Sequence, residues 1–256
     1  MKSGLWLGIG ALAMGFLAVA DEQKAPATDG TITGKITWEG SVPERKKLEV
    51  NKDNDKCECD AKGGEKKPFK LDESLVVDPE TKGVANCVLW LKGVAGGRAL
   101  GPAEIDQKGC LFSPHVALIT KGQKVKVLNP DKIAHNFNIS AAKVNSPTTP
   151  NISIGKFKPS VEVAEENFSK PEFIRIACDI HLWMGGWIAV MENGYAARSD
   201  EKGCFKLEGV PPGKYTVALW HEPLDKDGGA IVMEKADVTV EAGKPSDLSF
   251  TLSAPK

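Results

Sequence analysis

The sequence predicts an all-β protein, and three observations predict it. Its 26 glycines and 16 prolines fall largely between short apolar runs, which is the punctuation of strands and turns rather than of a helical bundle. The runs themselves alternate with period two, as in Ile32, Ile36 and Trp38, the pattern of a half-buried strand. After residue 20 no stretch places apolar residues at helical spacing over a useful length.

Composition narrows the function. The 33 Lys+Arg and 34 Asp+Glu leave a formal charge of -1, with no basic face for nucleic acid as a primary partner. A chain with 41% hydrophobic and 26% charged residues has the makings of a packed core and is not globally disordered. Residues 1–20 read as a secretory leader. One basic residue, Lys2, precedes the apolar run Leu5 to Ala20, and Ala18-Val19-Ala20 forms a small-residue cleavage pattern ahead of Asp21-Glu22. The expected location is periplasmic or secreted, with no transmembrane segment once the leader is removed. Residues 21–29 are expected to be a flexible start.

Three regions follow. In residues 30–101, a strand over 31–40 leads into a charged stretch over 43–71 that carries Cys57-Glu58-Cys59 and is expected to be a solvated loop pinned by a disulfide. Two further strands are expected at Ser74–Val77 and Ala85–Leu91, split by the turn Asp78 to Gly83. In residues 102–192, strands are expected at Cys110–Ser113, Val116–Thr120, Lys124–Leu128, Asn136–Ile139, Ser160–Val163, Glu172–Cys178 and Trp187–Met191, a spacing that suits an antiparallel sandwich. In residues 193–256, the segments 199–207 and 209–222 come first, and two more alternating strands are expected at Ala236–Val240 and Leu248–Leu252.

The chemistry concentrates at residues 135 and 178–184. Ile174, Ile176 and Cys178 share a parity, so a strand would aim the Cys178 sulfur inward at its end. His181 and Met184 follow within one short loop, and Gly185-Gly186 lets the chain turn back. His135 shares parity with Phe137 and Ile139 and should face the same interior. Thiolate, imidazole and thioether together suit copper: the soft sulfurs stabilise Cu(I), imidazole serves both oxidation states, and two His with one Cys and a weak axial Met form the blue-copper set.

The pattern Cys178-x-x-His181-x-x-Met184, preceded by His135-Asn136, resembles that of the cupredoxins, with a loop as short as in amicyanin-like members. The whole chain after the leader is similar to secreted bacterial cupredoxin-like proteins labelled methylamine-utilisation-like. These pair a Phe112-Ser113-Pro114-His115-Val116 strand with a Cys-x-x-His-x-Trp-Met loop and end in a carboxypeptidase-regulatory-like sandwich, matched here by 200–205 and 209–215. The resemblance implies a Greek-key cupredoxin sandwich over 102–192. It also implies a second, discontinuous, transthyretin/carboxypeptidase-regulatory-like β-sandwich made from 30–101 and 193–256. It implies His135, Cys178, His181 and Met184 as copper ligands, with Asn136 tying the two ligand loops together. Many members place Pro directly after the loop His, where this sequence has Leu182. His115 is expected to support the site from behind the ligands.

Six cysteines in an oxidising compartment default to disulfides. With Cys178 on a metal, Cys87 and Cys204 are expected to pair, and Cys110 is expected to pair with Cys57 or Cys59. The residue left over would be a free thiol, an intermolecular bridge or part of a soft-metal site. No hydrolase triad, phosphate loop or dinucleotide fingerprint is visible, so no enzyme is expected. The leading expectation is a single-electron carrier whose patch at Leu182 and Trp183 meets a redox protein, such as a c-type cytochrome or a periplasmic oxidoreductase. The alternatives are a copper-binding or delivery protein and a cell-surface binding module with a structural copper loop.

Overall fold

The computed structural model describes residues 28–53, 55–57, 69–101, 103–156, 158–224 and 228–254. The expected leader and Cys59 lie outside these, as does most of the expected flexible start. The chain is all-β. In order its strands are β1 (Gly30–Trp38), β2 (Lys47–Glu49), β3 (Phe69–Leu71), β4 (Val88–Leu91), β5 (Glu104–Asp106), β6 (Val116–Thr120), β7 (Val125–Leu128), β8 (His135–Asn138) and β9 (Asn151–Ile154). They continue as β10 (Ser160–Val163), β11 (Glu172–Ala177), β12 (Gly185–Met191), β13 (Ala196–Arg198), β14 (Cys204–Val210), β15 (Gly213–His221), β16 (Ile231–Val240) and β17 (Pro245–Leu252). Among the described residues no helix is long and apolar enough to cross a membrane.

The strands build two cores. One lies where the sheet β6-β12-β11-β8-β9 faces the sheet β10-β7-β5, and it is filled by Ile105, Phe112, Val127, Phe137, Phe168, Ile174, Ile176 and Ile188. The other gathers residues far apart in sequence. β1 runs between β14, antiparallel, and β17, parallel, while β4 runs between β13 and β15. Ile32, Ile36, Leu89, Leu91, Leu219 and Phe250 fill it. Period two explains β1: Ile32, Ile36 and Trp38 are buried, and at the same parity Gly34 lies so close to β17 that a Cβ there would sit 1.6 Å from the Leu248 carbonyl oxygen. An aromatic seam joins the two cores. Phe173 stacks on Trp220 with centroids 4.2 Å apart, and Trp187 meets Trp220 edge-on at 5.3 Å.

The structure corrects four expectations. Cys110–Ser113 is not a strand: residues 108–110 form a 3-10 turn with Gly109 at φ 62° and Cys110 at φ 56°. The Asp131 carboxylate holds that turn by accepting from the Gly109 and Cys110 amides, at 2.8 and 2.9 Å. Ser74–Val77 makes only an isolated bridge, Val77 with Val84. Cys87 and Cys204 are not joined, because Phe205 and Leu207 point β14 inward and leave Cys204 on its exposed face, while Cys87 is fully buried. Cys110 does bond Cys57. The short strands β2, β3, β5, β9 and β13 went unpredicted, and β2 and β3 pair within the stretch expected to be a loop.

Candidate metal centre

Cys178 directly follows β11, whose last residue, Ala177, pairs with Asn138 of β8. His135 opens β8, so the sheet register itself brings the two segments to one end of the sandwich. The loop is closed on itself: the Cys178 amide donates to the Met184 carbonyl (3.2 Å), and the Met184 amide donates to the His181 carbonyl (2.9 Å). Strand parity then does what it should. Ile174, Ile176 and Cys178 are buried on one face, and so are His135, Phe137 and Ile139. Met184 is buried within the same core cluster.

The His135 and His181 Nδ1 atoms face one another at 3.0 Å, and the Cys178 sulfur lies 3.9 Å from His181 Nδ1. One donor atom from each of His135, Cys178 and His181 falls within 4.8 Å of the others, and all three residues are buried. Both outer nitrogens are held by carboxylates: His135 Nε2 donates to Asp131 (2.9 Å) and His181 Nε2 donates to Asp53 (3.2 Å). Such outer carboxylates fix the tautomer and orient the ring. With each Nε2 carrying its proton, two nitrogen lone pairs and a sulfur converge on one point. That arrangement is unfavourable unless a proton or a cation sits among them. His135, Cys178 and His181 would hold such a cation through two imidazole nitrogens and a thiolate, a donor set suited to copper. The residues present therefore fit a soft, imidazole-accepting ion.

The electrostatics agree. Burial alone would raise the Cys178 pKa, but the hydrogen bond with His135 and the backbone amides of Asn136, His181 and Ile180 outweigh it and leave the thiol below its ordinary value. Burial likewise disfavours a charged His135, yet Asp131 and Cys178 pull its pKa up. The His181 pKa is lowered by burial, with the His135 charge adding to that and Asp53 opposing it. The pocket thus favours a thiolate beside a cation.

Asn136 links the two segments directly. Its Oδ1 accepts from the Asp179 amide (2.7 Å), and its Nδ2 donates to Asn151 Oδ1 (2.6 Å) and Asp179 Oδ2 (2.9 Å). His115 is engaged elsewhere: its Nε2 bonds Glu222, whose other oxygen accepts from Trp187 Nε1 (2.8 Å), and Glu73 lies 3.9 Å from its Nδ1. It therefore braces the seam between the cores rather than the ligand rings. Leu182 is 81% exposed. Trp183 is half-buried, stands 5.1 Å from the His181 ring and donates to the Cys110 carbonyl (3.1 Å). Asp131 and Asp53 were not anticipated. The spacing of Asp131 four residues before His135 could have suggested the first; Asp53 is distant in sequence from His181 and carries no such signal.

No protein-family model and no curated protein matches the chain. Among solved structures, similar chains include a copper-containing nitrite reductase from Thermus scotoductus SA-01, at 26% identity over 39% of this chain with a TM-score of 0.28. The overlap spans 25% of that enzyme's length. Another is a mutant amicyanin in its reduced Cu(I) form, at 18% identity over 37% of this chain and 86% of that one, TM-score 0.29. A third is a purple cupredoxin from Nitrosopumilus maritimus, at 19% identity over 34% and 98%, TM-score 0.27.

Proposed function

We propose that the chain holds one copper ion through His135, Cys178 and His181, with Met184 as the fourth donor, and serves as a secreted or periplasmic single-electron carrier rather than a catalyst. The observation that carries this reading is the convergence of two Nδ1 atoms and one sulfur in a buried pocket whose outer nitrogens are already occupied by Asp131 and Asp53. Copper bound there would supply a one-electron couple. The protein's own part is to hold the donors still: His135 and Cys178 sit at the ends of paired strands, Asn136 bolts their loops together, and the surrounding isoleucines and phenylalanines exclude water. We read the copper-holding unit, residues 102–192, as inserted into a second sandwich made from 30–101 and 193–256, with a regulatory-like character suggested by its sequence.

Exposed Leu182, directly after His181, lines a groove with Leu111, Trp183 and Trp187. We assign this groove to a transient redox partner such as a c-type cytochrome or a periplasmic oxidoreductase. The test is the visible spectrum of protein loaded with Cu(II). An intense thiolate-to-copper band that disappears in Cys178→Ser is expected, whereas a variant spectrum equal to wild type refutes the assignment.

A further inference from the structure

His181 is completely buried although its Nε2 points away from the ligand cluster. That nitrogen meets a residue 128 positions earlier in the chain, Asp53. Asp53 lies in a tight turn in which the Lys56 and Cys57 amides both donate to its carbonyl at 2.9 Å, and its own backbone stands at φ 51°. Aspartate tolerates the left-handed region better than most side chains, and the turn is held from both sides. Val50 packs into the first core, and Cys57 is bonded to Cys110. The neighbouring β2–β3 pair is a two-stranded ribbon, an element with little stability of its own.

The bridge is also part of the wall. The Cys57 and Cys110 sulfurs and a His181 ring nitrogen all lie within 4.8 Å of one another, and the Cys110 sulfur is equally close to a His135 nitrogen and an Asp131 oxygen. One side of the pocket therefore consists of Asp53 and a disulfide, and a disulfide is a bond that a redox compartment can open.

We infer that the turn carrying Asp53 is a strap latched by Cys57–Cys110 over His181, and that reduction of this bridge opens the pocket to copper exchange. This rests on the copper reading above. In the step, a small dithiol or a protein dithiol gives two electrons and two protons to the bridge and leaves as its own disulfide, while Cys57 and Cys110 become thiols. With the latch intact, electrons can pass but the ion stays. With it open, the strap loses its covalent tie to the first core while Val50 and the Asp53–His181 bond remain, so its local opening costs less free energy.

Two readouts test this on the full chain. In metal-free protein, alkylation of Cys178 is followed by peptide mapping. Dithiol-treated wild type and the Cys57→Ser/Cys110→Ser variant should label about tenfold faster than oxidised wild type. Asp53→Ala, with its bridge intact, should fall between them. Equal rates in oxidised wild type, reduced wild type and the double variant overturn the strap. Because reduction of wild type needs no substitution, misfolding of the double variant does not blunt the result. In copper-loaded protein, transfer to a Cu(I) chelator under ascorbate should follow the same order, and identical transfer rates overturn the gate. Wild type that takes up no copper refutes the metal assignment, while the labelling still judges the strap.

Discussion

Asn136→Ala is the sharpest probe of how the ligand loops are held. The side chain is buried and makes four hydrogen bonds: from the Asp179 amide at 2.7 Å, to Asn151 at 2.6 Å, to the Asp179 carboxylate at 2.9 Å and, the weakest, from the Cys178 thiol at 3.3 Å. The first two, at about 1 kcal/mol each, and the third, weakened by the exposure of Asp179, together contribute about 2–3 kcal/mol. Alanine also strands the Asp179 amide beside Cys178. Urea denaturation of metal-free protein should show that loss as a lower midpoint at unchanged slope. A double-mutant cycle with Asp179→Ala should return a coupling of about 1 kcal/mol. A loss below about 0.5 kcal/mol, with no coupling, would refute the claim that Asn136 bolts the two segments together.

Other expectations follow from the same contacts. Non-reducing peptide mapping should join Cys57 to Cys110, and Cys204 should alkylate readily. Cys87, whose thiol burial pushes up to about 12, should react only on unfolding; early labelling of Cys87 would contradict its place in the second core. The Glu172 carboxylate accepts from the Val144 and Asn145 amides and from Asn145 Nδ2, at 3.1, 2.8 and 3.0 Å. Burial opposes its charge, but the backbone amides of residues 143–145 win and depress its pKa below the usual 4.5. A depressed carboxylate stabilises the fold above the unfolded-state value and loses that contribution as pH falls through the folded one. Glu172→Gln should therefore lower stability at pH 7 and make it less steep below about pH 4.5; parallel pH profiles for variant and wild type would count against it.

How much of this was legible in the sequence depended on the range of the interaction. Parity placed Cys178 and His135 on buried faces, because a strand imposes its period on every residue. Strands of three residues such as Glu104–Asp106 carry too few positions to show a period, and they were missed. The strand expected at Cys110–Ser113 failed because a carboxylate from Asp131 stabilises a left-handed turn there, and alternation has no means of showing that. The expected Cys87–Cys204 bridge ignored that Cys204 is one residue out of phase with Phe205 and Leu207. Asp53 depends on a disulfide and a fold closing 128 residues of separation, so no local pattern could mark it.

The central claim is that His135, Cys178 and His181 bind one ion together. X-ray absorption at the copper edge of loaded wild type and of Cys178→Ser tests it most directly. Two nitrogen neighbours and one sulfur neighbour in wild type, with the short sulfur distance lost in the variant, is the predicted result. A copper shell of oxygens and nitrogens alone in wild type would contradict it.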